Sequence, residues 1–284
     1  MTVEYIEADG GKLAFEVVGT GPLIICSPGL GDTRDAYDPL VGELVASGYR
    51  VARVDLRGHG DSTATFNGYG DEATAEDFLA VVQKLGGGPA VLIGASLSSA
   101  AAVIAAGRRP DQVAGLVLIA PFLRNGMGTV MRRVLHLVLM KPWGPFAWRM
   151  YAAKLWPGLA VDKAKERAAS STALLQRPGR WPAFHASSNA DHRVVQPWIA
   201  RVQAPVLIVI GDADPDWKDP VGEAQWVASN FSQVETITVP GAGHAPMFEL
   251  PHLVSPGVLQ FLEKTRAAGA FNPDISVINI YLLL

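Results

Sequence analysis

Cysteine is almost absent from this chain: Cys26 is the only one in 284 residues. A single thiol excludes an intramolecular disulfide, and a reducing, cytoplasmic setting is the expectation. Its neighbours in Leu23-Ile24-Ile25-Cys26 are apolar, which predicts a buried, inert thiol rather than a nucleophile. Basic charge is also short. With 24 Lys and Arg against 27 Asp and Glu, the net charge of −3 offers no footprint for nucleic acid. Long apolar runs are missing too, since the strongest helical one, Val134 to Met140, lies between Arg133 and Lys141 and falls far short of the roughly 20 residues that cross a bilayer. The first residues carry Glu4, Glu7 and Asp9 where a secretory signal needs basic and then apolar residues, so neither export nor membrane insertion is expected. No cluster of His, Cys, Asp and Glu has metal-ligand spacing, and no metal or other cofactor is expected.

What is present is a chain that is 49% hydrophobic and 18% charged, enough for a generous core in one large α/β unit with an insertion. Val3 to Ala8 and Lys12 to Val18 alternate about an Asp-Gly-Gly turn and predict a β-hairpin. Apolar runs at Leu23 to Ser27, Val51 to Asp55, Ala90 to Ala95 and Ala114 to Ala120 predict buried strands. Helices are expected between them at about Tyr37 to Ser47, Thr74 to Leu85 and from Ser96 to about Arg108. This alternation argues for a mainly parallel sheet with helices on both faces. The rhythm stops from Pro121 to Ala204, where helical, aromatic-rich sequence breaks at Pro142, Pro157 and Pro178. It resumes with strands Pro205 to Ile210 and Val234 to Val239, each followed by a helix, which brings the sheet to eight strands.

Chemistry is suggested where strand Ala90 to Ala95 ends in Gly94-Ala95-Ser96-Leu97-Ser98. A serine at a sharp strand-to-helix turn, with small residues two before and two after, reads as a nucleophile elbow, although Ser98 stands where a second glycine is usual. A serine hydroxyl attacks a carbonyl only if a base takes its proton, so Ser96 demands a histidine and an acid to orient it. Both follow in later strand-end loops: Gly211-Asp212-Ala213-Asp214, in which either aspartate could serve, and Gly241-Ala242-Gly243-His244. His59, Ser27 and Ser62 are expected to be structural, and His136, His185, His192 and His252 follow no strand.

With these motifs, and with Pro28-Gly29-Leu30-Gly31-Asp32 and Asp55-Leu56-Arg57-Gly58-His59-Gly60-Asp61-Ser62, the chain resembles the α/β-hydrolases over about Val3 to Ala268. The resemblance implies the α/β-hydrolase fold with an inserted helical cap. Residues 1–121 and 204–270 would form the core domain and 122–203 the cap, and 271–284 would be a tail, native or read from a vector. It also implies a triad of Ser96, Asp214 and His244, with Asp214 preferred over Asp212 because the fourth position of G-x-x-D points back to the histidine. The backbone N–H groups of Leu30 and Leu97 would form the oxyanion hole. A serine at the elbow argues against dehalogenase or epoxide hydrolase chemistry, which needs a carboxylate nucleophile.

The expected activity is that of a cofactor-free serine carboxylester hydrolase on hydrophobic small-molecule esters. A lactonase (including one opening N-acyl-homoserine lactones), a cofactor-free haloperoxidase or perhydrolase, and a non-enzymatic ligand receptor are the alternatives. Trp143, Phe146, Trp148 and Met247 are the candidate substrate contacts. More than half of the aromatic and Met side chains in and beside the insertion are expected to be buried, and Arg124, Arg132 and Arg133 are expected to be solvated.

Overall fold

The computed structural model of the chain describes residues 2–86 and 88–271. Its sheet opens with the hairpin: β1 (Glu4–Ala8) and β2 (Gly11–Val18) pair antiparallel about a turn in which Gly10 takes φ +82°. β3 (Leu23–Ser27) is buried along its whole length, as a run of apolar residues between turn residues should be. The chain then passes through α1 (Asp38–Ala46), β4 (Arg50–Val54), α2 (Asp71–Lys84), β5 (Ala90–Ala95), α3 (Leu97–Arg108) and β6 (Val113–Ile119). α2 begins three residues earlier than expected. Asp71 and Glu72 fill its first turn, where acidic side chains favour the positive end of the helix dipole.

Between β6 and β7 (Val206–Gly211) run α4 (Thr129–Val138), α5 (Gly144–Ala152), α6 (Val161–Leu175), α7 (Arg180–Ser188) and the short α8 (Gln196–Ile199), and this stretch contains no strand. α9 (Pro220–Ala228), β8 (Val234–Val239), α10 (Pro246–Glu249) and α11 (Pro251–Ala267) complete the described chain. α8 and α10 have four residues each, too few for a hydrophobic period to reveal them.

The eight strands lie in the order β1-β2-β4-β3-β5-β6-β7-β8, with β2 antiparallel to both neighbours and the six from β4 to β8 parallel. Alternate residues of the central strands feed two cores. Ile24, Cys26, Val91 and Ile93 pack with Leu40 and Leu44 of α1 and Val258 and Phe261 of α11. Ile25, Leu92, Leu116 and Leu118 pack with Phe78 of α2, the alanines of α3 and Val227 of α9 on the other face. Each fully buried Leu, Ile or Phe contributes about 1.5–3 kcal/mol, so the sheet centre is the most stable ground in the molecule. Burial pushes the Cys26 thiol up in pKa, in keeping with an inert residue.

No helix among the described residues is long and apolar enough to cross a membrane. Of the tail expected over 271–284, residues 272–284 lie outside the described residues. Phe271, its first residue, sets its ring 6.2 Å from that of Tyr49.

Candidate active site

The turn after β5 is tight for reasons that can be named atom by atom. Ser96 takes φ +55° and ψ −119°, a conformation that costs a residue with a side chain about 1–3 kcal/mol and persists only where its surroundings hold it. A side chain on Gly94 would come within 2.2 Å of the Ser98 carbonyl oxygen, and one on Gly29 within 2.9 Å of Ser96 Cβ. Ser98 is more than a small residue. Its hydroxyl donates to the Pro28 carbonyl (2.6 Å) and lies 3.0 Å from Ser27 Oγ, fastening the start of α3 to the loop after β3. Leu97 opens α3, where the first N–H groups of a helix have no acceptor within the helix.

The loop after β3 is closed by Asp32 N–H donating to the Gly29 carbonyl (3.2 Å), with Leu30 at its apex. Gly31 N–H donates to His59 Nε2 (3.0 Å), and His59 Nδ1 donates to the Arg57 carbonyl (2.9 Å). Both bonds need a neutral His59 protonated at Nδ1, and burial pushes its pKa down to about 4. His59 is therefore a buried support for the loop. Ser62, which receives Ala14 N–H (2.9 Å) and donates to the Asp55 carbonyl (2.9 Å), is likewise a strut.

His244 follows β8. Its Nδ1 lies 2.9 Å from Asp214 Oδ2, and the Asp214 side chain is fully buried. Asp212, the other candidate acid, turns away and accepts Gly241 N–H at 2.7 Å. A second carboxylate that sequence reasoning missed also reaches His244: Asp216 Oδ2 is 3.2 Å from Nδ1. Asp216 also accepts the hydroxyl of Tyr151 on α5, and its backbone N–H donates to Asp214 Oδ1 (3.0 Å). Burial opposes charge on His244, but the negative charges of Asp214 and Asp216 outweigh it and raise the imidazole pKa, up to about 10. Burial also raises the pKa of Asp216, against the pull of the positive charge on His244.

Glu249 was missed as well. Its carboxylate accepts the N–H groups of Gly158 (2.8 Å), Gly243 (2.8 Å) and Ala245 (2.9 Å), and His244 N–H donates to the Leu155 carbonyl (2.8 Å). The histidine loop is thus gripped from both sides. The signal available in sequence was only a Glu five residues past the histidine, which reads equally as the start of the next helix.

Ser96, His244, Asp216, Leu30 and Leu97 line one cavity of about 370 Å³. α4 and α5 supply its apolar wall through Leu135, Val138, Ala147 and Trp148, with Leu139 from just after α4; Asn125, Arg132 and His192 supply polar groups. Phe122, just past β6, sets its ring 6.0 Å from that of His244, and 5.4 and 4.8 Å from those of His192 and Trp217. His192 is held by Asp71 at 2.8 Å.

Of the four expected substrate contacts, Trp148 lines this cavity and Met247 lines a smaller space beside it that also touches Leu30, Trp148 and His244. Trp143 and Phe146 do not line it: they stand 57% and 71% exposed, because α5 turns Ala147, Trp148 and Tyr151 inward instead. Arg132, expected in solvent, faces the cavity and donates to the carbonyls of Asn189 (3.0 Å) and Ala190 (2.8 Å). Arg124, although 44% exposed, pairs with Glu223 and covers Trp226.

Asp214, Asp216 and His244 are also the one group of three His, Cys, Asp or Glu among the described residues whose donor atoms converge, within 4.8 Å. A cation there would compete with the imidazole proton that both carboxylates face.

Residues 24–256 match the profile of the Alpha/beta hydrolase family. The chain is similar to a 2-(acetamidomethylene)succinate hydrolase of Mesorhizobium japonicum, 26% identical over 90% of this chain and 94% of that one. A pimeloyl-[acyl-carrier protein] methyl ester esterase of Chromobacterium violaceum is 28% identical over 83% of this chain and 92% of its own. Among solved structures, a thermophilic esterase from Thermogutta terrifontis superposes with a TM-score of 0.79 at 25% identity, covering 93% of this chain and 99% of that one.

Proposed function

The chain belongs to the alpha/beta hydrolase family, and on that premise we propose that it is a serine carboxylester hydrolase acting on hydrophobic small-molecule esters. The observation that carries this reading is His244 Nδ1 at 2.9 Å from the buried Asp214, with the ring and the strained Ser96 facing one cavity. An acid on Nδ1 leaves Nε2 to act as base. In the reading, His244 Nε2 takes the Ser96 proton as Oγ bonds to the ester carbonyl carbon. The N–H groups of Leu30 and Leu97 receive the oxyanion, and the alkoxide leaves with the proton from His244. Water, deprotonated by the same nitrogen, then attacks the acyl-enzyme, and its proton returns to Ser96 as the acid departs. Residues 122–203 act as a cap over a core of 1–121 and 204–270, and need no cofactor for these steps.

The cavity wall supports the substrate class. Leu135, Val138 and Trp148 suit an acyl chain, and a volume of about 370 Å³ lies in the range of small-ligand sites. Asn125 and Arg132 on the polar side also suit an amide-bearing acyl lactone, whose ring opening runs through the same atoms. Comparing kcat/KM for N-acyl-homoserine lactones with matched linear esters separates the two. Ser96→Ala tests the reading itself. It is expected to lower p-nitrophenyl ester turnover by about 10⁴-fold or more with an unchanged melting curve, and wild-type turnover in that variant would refute the reading.

A further inference from the structure

The outermost part of the helical segment is greasy where a soluble surface should be polar. On α4, Val130, Val134 and Leu137 fall on one stripe at helical spacing, and on α5 so do Trp143, just before its first residue, Phe146 and Met150. All six are exposed, Val130 at 75% and Phe146 at 71%. The Trp143 indole N–H donates to the Leu137 carbonyl (3.2 Å) and joins the stripes into one face. A contiguous apolar face of this kind marks an interaction site rather than scattered surface residues.

Charge says what it meets. From Pro121 to Val161 the chain has no Asp or Glu, in a protein whose net charge is −3. Arg133, Lys141, Arg149 and Lys154 are exposed on α4, on α5 or beside them. A second copy seated on this face would bring the same basic groups together, which disfavours self-association. An acidic partner protein would satisfy the charge but gives no reason for the next observation. The other side of α4 lines the catalytic cavity through Arg132, Leu135 and Val138, with Leu139 just after it, so a mostly apolar wall one helix thick separates the face from Ser96.

We propose that the outer face of α4 and α5 docks on an anionic phospholipid surface, its apolar stripes seated at headgroup level and Arg133, Lys141 and Arg149 on the lipid phosphates. Such a helix lies in the interface without spanning it. Trp143 stands where tryptophan is favoured, at the boundary between headgroup and chain. Docked in this way, the cap brings the cavity beside esters dissolved in the bilayer, a consequence that rests on the hydrolase reading; the docking itself does not.

Flotation with vesicles of phosphatidylglycerol and phosphatidylcholine in equal amounts, against phosphatidylcholine alone, tests it without turnover. The wild-type chain should float with the anionic vesicles, less so in high salt, and only weakly with the neutral ones. A Val130→Gln, Leu137→Gln, Met150→Gln variant and an Arg133→Glu, Lys141→Glu, Arg149→Glu variant should each lose at least about tenfold in partition, since each basic residue and each buried apolar side chain adds to the affinity. Both should keep wild-type hydrolysis of a water-soluble p-nitrophenyl ester, which verifies the fold and the site. The proposal is overturned if the wild type stays unbound, if it binds both vesicles equally, or if both variants float like the wild type. It is overturned equally if the Gln variant abolishes a dimer seen by sedimentation velocity, which identifies a second copy, or if the wild type binds polyglutamate but no vesicle, which identifies an acidic protein.

Discussion

α3 and α4 are short helices of similar length, yet eleven of the twelve residues of α3 are buried and none of the ten in α4. α3 reads Leu-Ser-Ser-Ala-Ala-Ala-Val-Ile-Ala-Ala-Gly-Arg, small enough to lie flat between the sheet and α2. All five of its alanines are buried, and close packing around them holds the start of the helix, and Ser96 before it, in place. α4 carries larger apolar side chains and no layer above them. Packing around one helix fixes atoms for chemistry, and the lack of it over the other leaves a surface for something else to cover.

The comparison breaks first at the chemical end. Asp214→Asn should cost about 10³–10⁴ in kcat by removing the acid on Nδ1, whereas Asp212→Asn should leave kcat nearly unchanged; steady-state kinetics reversing that order would move the acid to Asp212. Overpacking α3 comes next: Ala102→Leu should destabilise by about 1–3 kcal/mol, read as a lower denaturation midpoint, because the residue is fully buried in the core.

Asp216→Asn sharpens the role of the second carboxylate. A base must be neutral to accept the Ser96 proton, and the raised pKa of His244 holds it cationic to higher pH, so kcat/KM of the wild type should climb with pH into the alkaline range. Removing one of the two negative charges lowers that pKa, and the acid limb of the profile should move toward lower pH. An unmoved limb would leave Asp216 outside the proton chemistry. The smallest effect belongs to the exposed helix: Val134→Gln should change stability by less than about 0.5 kcal/mol, and a larger loss in chemical denaturation would mean that α4 is covered after all.

The sheet was legible because its signal is local. Leu23 to Ser27, Ala90 to Ala95 and Val234 to Val239 are apolar or alternating runs bounded by turn residues, and β3, β5 and β8 have those limits. Ser96, Asp214 and His244 could be picked out because each follows a strand. Asp216, Glu249 and Tyr151 could not, since a carboxylate in a loop and a tyrosine in a helix look like surface until the fold brings them to the histidine.

The same limit applies to the insertion. Periodicity shows that a helix has an apolar face and says nothing of what covers it, so burial was expected for most of the large apolar side chains there. Of the aromatic and Met side chains there, Trp148, Trp156, Trp181 and Phe184 are buried, but Met127, Met131, Trp143, Phe146 and Met150 are exposed. Ser98 teaches a smaller lesson: its size was readable, but the use of its hydroxyl depended on Pro28, 70 residues away in the chain.

The bond from Tyr151 to Asp216 makes α5 a partner in the titration of His244. If α5 moves, the carboxylate loses its donor and its affinity for protons rises, which changes the charge seen by the imidazole. Linkage is reciprocal, so protonation of the histidine must bias the position of α5 by the same free energy with which α5 biases protonation. The proton and the helix are in this sense two ligands of one site, and a pH titration of His244 doubles as a measurement of where α5 stands.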